Sequence, residues 1–184
     1  MKVISGKFKG RVLEGYNIKG TRPTMDRVRE SLFASINPYI KDKVFLDLFA
    51  GSGSLGIEAI SNGCSFCYFN DINRDIFVIL KNNIQKLGIN NCKLFNKDYK
   101  DVILSLKNND IKIDVILLDP PYGMNILNSL VLDIINNDIL NDDGLIVIEH
   151  QDNYTVCDYD GYTLFKNKKY GDKFITILKK CIDN

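Results

Sequence analysis

The sequence predicts an α/β protein with one mostly parallel, seven-stranded sheet whose last strand is antiparallel. Two observations favour this fold class. Between residues 44 and 150, short apolar runs alternate with longer stretches of helical periodicity, and strands separated by helices become parallel neighbours through right-handed crossovers. Residues 162–180 then contain two strand-like runs joined only by YGD. A connection this short makes a hairpin, so the final strand runs against its neighbour.

The predicted elements follow one another in a regular order. Residues 2–14 carry two apolar patches divided by glycines, which indicates a small β-hairpin, and the apolar stripe in residues 28–36 indicates a helix. We expect an N-terminal β-hairpin extension, residues 1–22, and one larger domain, residues 23–184. The strands of that domain are predicted at 44–50, 66–70, 92–96, 112–118, 144–150 and in the C-terminal hairpin, with helices at 54–62, 74–88, 99–107 and about 125–137.

The composition is that of an ordinary globular protein, with 45% hydrophobic residues, 26% charged residues and a net charge of +1. The chain therefore lacks an overall positive coat. Its arginines are nevertheless unevenly placed, because all but one lie near the N-terminus: Arg11, Arg22, Arg27 and Arg29. This asymmetry points to an anionic partner near the N-terminus, although solvated surface arginines would give the same pattern.

The sequence gives little support for a membrane span, a metal site or the active site of a hydrolase. No apolar run approaches the roughly 20 residues of a membrane span, and the first residues lack the apolar core of a signal peptide, so we expect a cytoplasmic protein. Cys64 and Cys67 are close in sequence, but they fall on a predicted strand that points them to opposite faces, so we expect no metal site. The only histidine, His150, has no serine or cysteine nucleophile motif beside it.

A glycine-rich turn follows the first strand of the predicted sheet. In DLFAGSGSLG, Gly51, Gly53 and Gly56 match the G-x-G-x-x-G pattern of nucleotide-binding folds. Glycines in these positions let the backbone approach a ligand closely. The pattern does not identify that ligand, and a tight turn without any ligand would have the same sequence.

Three acids near the strand ends narrow the choice of ligand. Asp71 ends the second strand, where an acid binds the ribose hydroxyls of NAD, FAD or S-adenosylmethionine. Asp47, beside the glycine turn, would repel a pyrophosphate and attract the cationic groups of S-adenosylmethionine. Asp98 either accepts a hydrogen bond from an adenine amino group or caps the following helix. The predicted cofactor site comprises Thr24, Asp47, Ala50, Gly51, Gly53, Asp71, Ile72, Asp98 and Tyr99.

A stiff acidic segment follows the fourth predicted strand. Asp119, Pro120, Pro121 and Tyr122 leave that strand at the carboxyl edge of the sheet, near the glycine turn. Because the prolines fix the backbone, the Asp119 carboxylate and a proline carbonyl can accept the two N–H groups of an exocyclic amine and hold its nitrogen towards a methyl donor. The Tyr122 ring can stack on the base. These four residues are the predicted catalytic site of a direct methyl transfer that needs neither a metal nor a covalent enzyme intermediate.

The motifs together resemble a known family. DPPY is similar to the motif of methyltransferases that act on the nitrogen of bases or amides. With ISGKFKGRVL, RPTMDRVRESLF and DLFAGSGSLGIEA, the chain resembles the RsmD-like 16S ribosomal RNA methyltransferases from residue 2 to the terminal YGDKFITIL. The resemblance implies a Rossmann-like, S-adenosylmethionine-dependent methyltransferase fold and methylation of N2 of a guanine in 16S ribosomal RNA. The implied partner is the small ribosomal subunit or an assembly intermediate of it, and we expect a monomer.

Some residues and the substrate keep alternative interpretations. The four N-terminal arginines are expected to contact RNA, although Arg22 and Thr24 are also placed to brace the cofactor pocket. Glu149 and His150, at the end of the fifth strand, either line the base pocket or serve the fold. Alternative functions are the same transfer to a DNA adenine or a protein amide, and a nicotinamide-dependent oxidoreductase.

Overall fold

The computed structural model describes residues 1–15, 22–121, 126–151 and 158–182, and for residues 22–25 the backbone alone. Single-turn 3-10 helices precede and follow the first helix, at Gly6–Phe8 and Asn37–Tyr39. Within the described ranges, no helix has both the length and the apolar character needed to cross a bilayer. The helices and strands of these ranges are α1 (Arg22–Ile36), β1 (Val44–Asp47), α2 (Ser54–Ser61), β2 (Phe66–Asn70), α3 (Arg74–Leu87), β3 (Cys92–Phe95), α4 (Tyr99–Asn108), β4 (Ile113–Leu118), α5 (Leu127–Asn136), β5 (Leu140–His150), β6 (Tyr162–Tyr170) and β7 (Lys173–Lys180).

The seven described strands form one sheet in the order β3-β2-β1-β4-β5-β7-β6. The first five strands are parallel to one another, whereas β7 runs antiparallel to both β5 and β6. This arrangement confirms the predicted fold class. The chain moves outward in one direction from β1 to β3 and in the other from β4, so the carboxyl ends of β1 and β4 flank the crevice in which sheets of this kind bind ligands.

Two apolar cores lie on the two faces of the sheet, because successive residues of a strand point to opposite sides. Phe45 and Leu117 belong to the core that α1, α2 and α3 cover, which we call the first face. Leu46 and Ile116 belong to the core that α4 and α5 cover, the second face. The central strands β1 and β4 are therefore buried on both sides, as expected in a parallel sheet.

The N-terminal segment turns back on itself more tightly than the predicted β-hairpin. A single antiparallel bridge joins Lys2 to Val12 around the 3-10 turn, and residues 1–15 form no longer ladder. Apolar residues of the segment extend the first-face core. Gly6 lies directly on α2, since a Cβ atom at this position would come within 1.9 Å of the Ser61 carbonyl oxygen. The segment is thus packed against α2.

Candidate active site

The carboxyl ends of the central strands bring four acids to one edge of the sheet. Asp47 is the last residue of β1, and Asp71 follows β2. Asp119 follows β4, and the register of β4 with β5 puts it beside Glu149. By strand alternation, Asp47, Asp119 and Glu149 all point to the first face. We call these four residues the acidic edge, and they form the candidate active site.

In the glycine turn between β1 and α2, one glycine allows close packing and another leaves open space beside the backbone. Gly56 lies against β2, because a Cβ atom there would stand 2.2 Å from the ring of Phe69. This glycine therefore allows the helix to approach the strand. Gly51 has a φ of 55°, and a Cβ atom there would meet no described atom within 4 Å. The space beside Gly51 is open to a ligand, whereas Gly53, with a φ of 87°, starts α2.

Asp47 is buried beneath this turn, with 1% of its surface exposed. Its Oδ2 accepts a hydrogen bond from the Gly56 N–H at 2.9 Å, which ties the first turn of α2 to β1. Burial raises the pKa of Asp47 to about 7, the Gly56 hydrogen bond opposes the rise, and the charge of Asp71 adds to it. A buried carboxylate of this kind is stabilised by a cationic group, so Asp47 suits a ligand that carries one.

Asp71 is held at the mouth of the turn. Its Oδ2 accepts the N–H of Gly51 and its Oδ1 accepts the N–H of Asn73, both at 2.9 Å. A carboxylate has further lone pairs, so Asp71 retains acceptors for two hydroxyl groups. The neighbouring Ile72 is 66% exposed. A fixed acid beside an exposed aliphatic side chain fits a nucleoside, whose ribose binds the acid and whose base packs on the aliphatic group.

The first residues at α4 contribute a helix cap and an aromatic ring. The Asp98 side chain accepts the N–H of Lys100 at 2.9 Å, so it caps α4 as one of its two predicted roles requires. Its role towards an adenine amino group stays a prediction. The Tyr99 ring lies 5.9 Å from the ring of Phe49, tilted by 44°. These two rings bring apolar surface to the loop that follows β1.

Two asparagines that sequence reasoning missed hold the loops of the site together. Asn70 is buried, donates to the Leu48 carbonyl after β1, and accepts the Lys97 N–H after β3, both at 3.2 Å. Its own carbonyl accepts the N–H of Ala50 at 2.8 Å. Asn96 donates to two carbonyls of the loop after β2. In the sequence both resemble ordinary polar residues at strand ends, because their partners lie in loops that follow other strands.

The stiff segment leaves β4 at the acidic edge, as its sequence predicts. Asp119 is half-buried, Pro120 is buried and Pro121 is exposed. Tyr122 lies outside the described residues, so its stacking role stays a prediction. The buried proline fixes the backbone directly after the carboxylate, and Asp119 is therefore held at the boundary between the sheet and the open crevice.

Asp119 has two charged neighbours: Glu149, which the sequence placed at the end of the fifth strand, and Lys173, which sequence reasoning missed. Lys173, the first residue of β7, forms an ion pair with Glu149, and these side chains are only 17% and 13% exposed. Burial is the main reason why the pKa of Asp119 lies above its usual value. The charge of Glu149 raises this pKa further, Lys173 opposes the rise, and Asp47 adds to it.

His150 serves the fold, in line with one of its two predicted roles. Its ring nitrogens lie 2.8 Å from the Gln151 carbonyl and 2.8 Å from the Thr176 hydroxyl. The ring also stacks on Phe174 at 5.4 Å. Strand alternation points His150 to the second face, away from Glu149. Of the two residues, Glu149 alone belongs to the acidic edge.

The prediction that Arg29 contacts RNA is wrong, because only 5% of its surface is exposed. Its guanidinium donates to the Lys2 carbonyl and to the Asp26 carboxylate, and lies 3.9 Å from the Glu58 carboxylate. A side chain that is buried in this way is unavailable to a nucleic acid. Arg29 instead joins α1 to the N-terminal segment and to α2.

The other contacts predicted for the N-terminal residues, with RNA or with the cofactor, stay predictions. Arg11 and Arg27 are exposed, as a contact with a polyanion requires. The side chains of Arg22 and Thr24 lie outside the described part of the chain. Further along α1, the Ser31 side chain contacts Tyr170 at the end of β6, and β7 then begins at Lys173.

Comparison with known proteins identifies the family. Residues 1–179 match the family described as Conserved hypothetical protein 95. The chain belongs to this family. Protein YlbH of Bacillus subtilis is 36% identical over 182 residues, which are 98% of this chain and 99% of YlbH. The Ribosomal RNA small subunit methyltransferase D of Haemophilus influenzae is 34% identical over 173 residues, which are 93% of this chain and 89% of that protein.

Solved structures have the same fold as this member of the Conserved hypothetical protein 95 family. The yhhF protein of Escherichia coli has a TM-score of 0.87 at 25% identity, and the similarity covers 100% of this chain and 99% of that one. The methyltransferase SMU.776, complexed with SAH, shares the fold with a TM-score of 0.72 at 16% identity over 94% of this chain and 52% of that one. These similarities confirm the predicted methyltransferase fold.

Proposed function

We propose that this protein transfers a methyl group from S-adenosylmethionine to the exocyclic N2 amine of a guanine in 16S ribosomal RNA of the small subunit. The observation that carries this proposal is the position of Asp119 and its two prolines, at the carboxyl end of β4 and beside the glycine turn. The name of the Haemophilus influenzae relative, a small-subunit ribosomal RNA methyltransferase, supports the substrate class.

The acidic edge and the glycine turn fit the cofactor. When bound, S-adenosylmethionine supplies an electrophilic methyl group on a positively charged sulfur. Asp71 binds the ribose hydroxyls through its remaining lone pairs, and the open space at Gly51 admits the cofactor close to the backbone. Buried Asp47 attracts the cationic groups. The adenine ring is expected among Ile72, Asp98 and Tyr99.

Asp119 orients the substrate amine for the transfer. Its carboxylate and the Pro120 carbonyl accept the two N–H groups, which directs the nitrogen lone pair towards the methyl carbon. S-adenosylmethionine, once bound, would supply the methyl carbon to this nitrogen, and its sulfur would keep the electron pair of the broken carbon–sulfur bond. The methylated nitrogen then releases a proton, which Asp119 receives and passes to water.

The substrate reaches the acidic edge from the side of α1. Exposed Arg11 and Arg27 are the described arginines that we expect to bind phosphates of the RNA. We expect the protein to act as a monomer and in the cytoplasm, where small ribosomal subunits are assembled.

Incubation with methyl-labelled S-adenosylmethionine tests the proposed substrate. The acceptors compared are 30S particles, naked 16S RNA and DNA, and the labelled nucleosides are separated after digestion. We expect N2-methylguanosine from the 30S particle or from the 16S RNA. Label in a DNA adenine, or in a different RNA nucleoside, would contradict the proposal.

Asp119→Ala tests the proposed catalytic residue. We expect methyl transfer to fall by about a thousandfold or more, because the amine loses its charged acceptor, while the affinity for S-adenosylmethionine stays within about tenfold. Asp101→Ala, which removes an exposed acid of α4, is the matched control and should keep full activity. Full activity of Asp119→Ala would remove Asp119 from the mechanism.

A further inference from the structure

We propose that Lys173, through its ion pair with Glu149, is a positioning residue that shifts Asp119 towards its ionised, hydrogen-bond-accepting form. The electrostatic part of this inference concerns the protein alone. Its consequence for the rate rests on the proposed function.

The sheet places the three side chains together. Strand β7 is antiparallel to β5 and pairs Phe174 with His150, so Lys173 begins β7 next to the carboxyl end of β5. Its amine binds the Glu149 carboxylate. The parallel register of β4 and β5 then puts Glu149 beside Asp119. A cation on one strand, an acid on the next and a second acid on the third therefore share one edge and one face.

Lys173 matters for the ionisation of Asp119 because the other charged side chains on this face are mostly acids. Asp47, Asp119 and Glu149 point to the same face, and like charges so close to one another disfavour simultaneous ionisation. In the described part of the chain, Lys173 is the cation that opposes this effect at Asp119. The α1 helix, which also packs on the first face, brings Asp26 and Arg29, and these two residues form an ion pair with each other. Arg29 thus adds little positive charge at Asp119.

The ionisation of Asp119 matters for the proposed substrate. An ionised carboxylate acts only as a hydrogen-bond acceptor, and it binds an N–H group more strongly than a neutral carboxyl does. A protonated Asp119 carries a donor on one oxygen, and this donor faces the N–H groups of the amine. Loss of the Lys173 charge should therefore weaken substrate orientation at neutral pH and leave it intact at higher pH.

A carboxyl titration tests the electrostatic part without any assay of activity. The protein is labelled with 13C at the aspartate side-chain carboxyl carbon, and the Asp119 signal is assigned by its loss in Asp119→Asn. Its pH titration is then compared between the wild type, Lys173→Met and Lys179→Met. Lys179 is the matched control, because it lies on the same face at the other end of β7, where it pairs with Asp143 at 2.7 Å.

We expect the Asp119 titration midpoint to rise in Lys173→Met by about one pH unit, a tenfold change in proton affinity, and to stay in place in Lys179→Met. Glu149→Gln should lower the midpoint, because it removes the negative charge and leaves the lysine. An unchanged midpoint in Lys173→Met, or equal shifts in both lysine variants, would overturn the inference. If Lys173→Met does not fold, the smaller change Lys173→Gln answers the same question.

The pH profile of methyl transfer tests the link to the reaction. For Lys173→Met we expect about tenfold lower kcat at pH 7 and recovery towards the wild-type value by about pH 9. A uniform loss at every pH would indicate a merely structural role and would overturn this part. Failure of the proposed function is recognised separately, because the wild type would then form no N2-methylguanosine while the titration still reports on Lys173.

Discussion

At the scale of single residues, Asp47 illustrates how a buried acid links the fold to the site. Its pKa is raised to about 7 in the folded protein, against about 3.9 for an unperturbed aspartate. The folded state thus binds the proton more tightly than the unfolded state does. The stability that this group contributes is complete below the unfolded pKa, and it is lost as the pH rises through the folded pKa.

Asp47→Asn should remove this pH dependence. Asparagine keeps an oxygen for the Gly56 N–H but carries no charge, so the variant should gain free energy of unfolding relative to the wild type. The gain should be larger at pH 8 than at pH 5, by on the order of 2 kcal/mol. Urea unfolding at the two pH values measures it, with exposed Asp101→Asn as the control. An equal gain at both pH values would contradict the raised pKa.

The residues that could be predicted from the sequence are those whose role depends on local order. Asp119 with its prolines, the glycine turn and Asp71 each follow a strand directly, and parallel strands bring their carboxyl ends to one edge. The roles of Lys173 and Asn70 could not be predicted, because their partners lie on a strand or in loops that are more than 19 residues away in the sequence. Arg29 was misassigned for a related reason, since its burial depends on the N-terminal segment and on α2.

At the scale of elements, α2 supports the N-terminal segment through one buried acid. Glu58, 1% exposed, accepts the N–H groups of Ile4 and Ser5 at 2.9 and 2.7 Å, and the Ser5 hydroxyl at 2.7 Å. The guanidinium of Arg29 lies on the same carboxylate. Within SLGIEAISN, this glutamate looks like an ordinary polar residue of a short helix, so the sequence did not reveal its role.

Glu58→Ala should destabilise the protein by about 3–5 kcal/mol, because it leaves the Arg29 charge buried without its carboxylate partner on α2. Urea unfolding at pH 7 measures this change. Glu30→Ala removes an exposed glutamate of α1 and should cost less than about 0.5 kcal/mol. Similar values for the two variants would show that the Glu58 contacts contribute little.

The order of helices and strands could be predicted because each element has a clear period and length, but one end of each of two strands, β1 and β5, differs by three residues or more. Strand β5 starts at Leu140, whereas the prediction begins it at residue 144. Polar residues 141–143 resemble a loop, yet Leu140 pairs with Ile113 on β4 and keeps this stretch in the sheet. Strand β1 ends at Asp47, earlier than predicted, because the chain turns there into the glycine turn.

At the scale of the whole molecule, the net charge of +1 means that an RNA surface must be local. Arg27 is exposed on α1, and Ser31 on the next turn of this helix contacts Tyr170, three residues before Lys173. By contrast, Lys107 is exposed near the C-terminal end of α4, on the second face of the sheet. The two residues therefore allow a test of where the RNA binds.

Arg27→Glu should weaken binding to 16S RNA and lower the slope of log affinity against log salt by about 1, since a phosphate contact releases about one counterion. Filter binding at several salt concentrations measures both quantities. Lys107→Glu changes the net charge by the same amount and should leave the slope unchanged. Equal slopes for Arg27→Glu and the wild type would place the RNA footprint elsewhere.

The proposed reaction requires the methyl donor to bind beside the Asp119 carboxylate at the carboxyl edge of the sheet. A crystal structure with bound S-adenosylmethionine tests this most directly. We predict that the adenosine lies between Asp71 and Tyr99 and that the methyl group faces the opening beside Asp119. A methyl group that points away from Asp119, towards the second face of the sheet, would contradict the account.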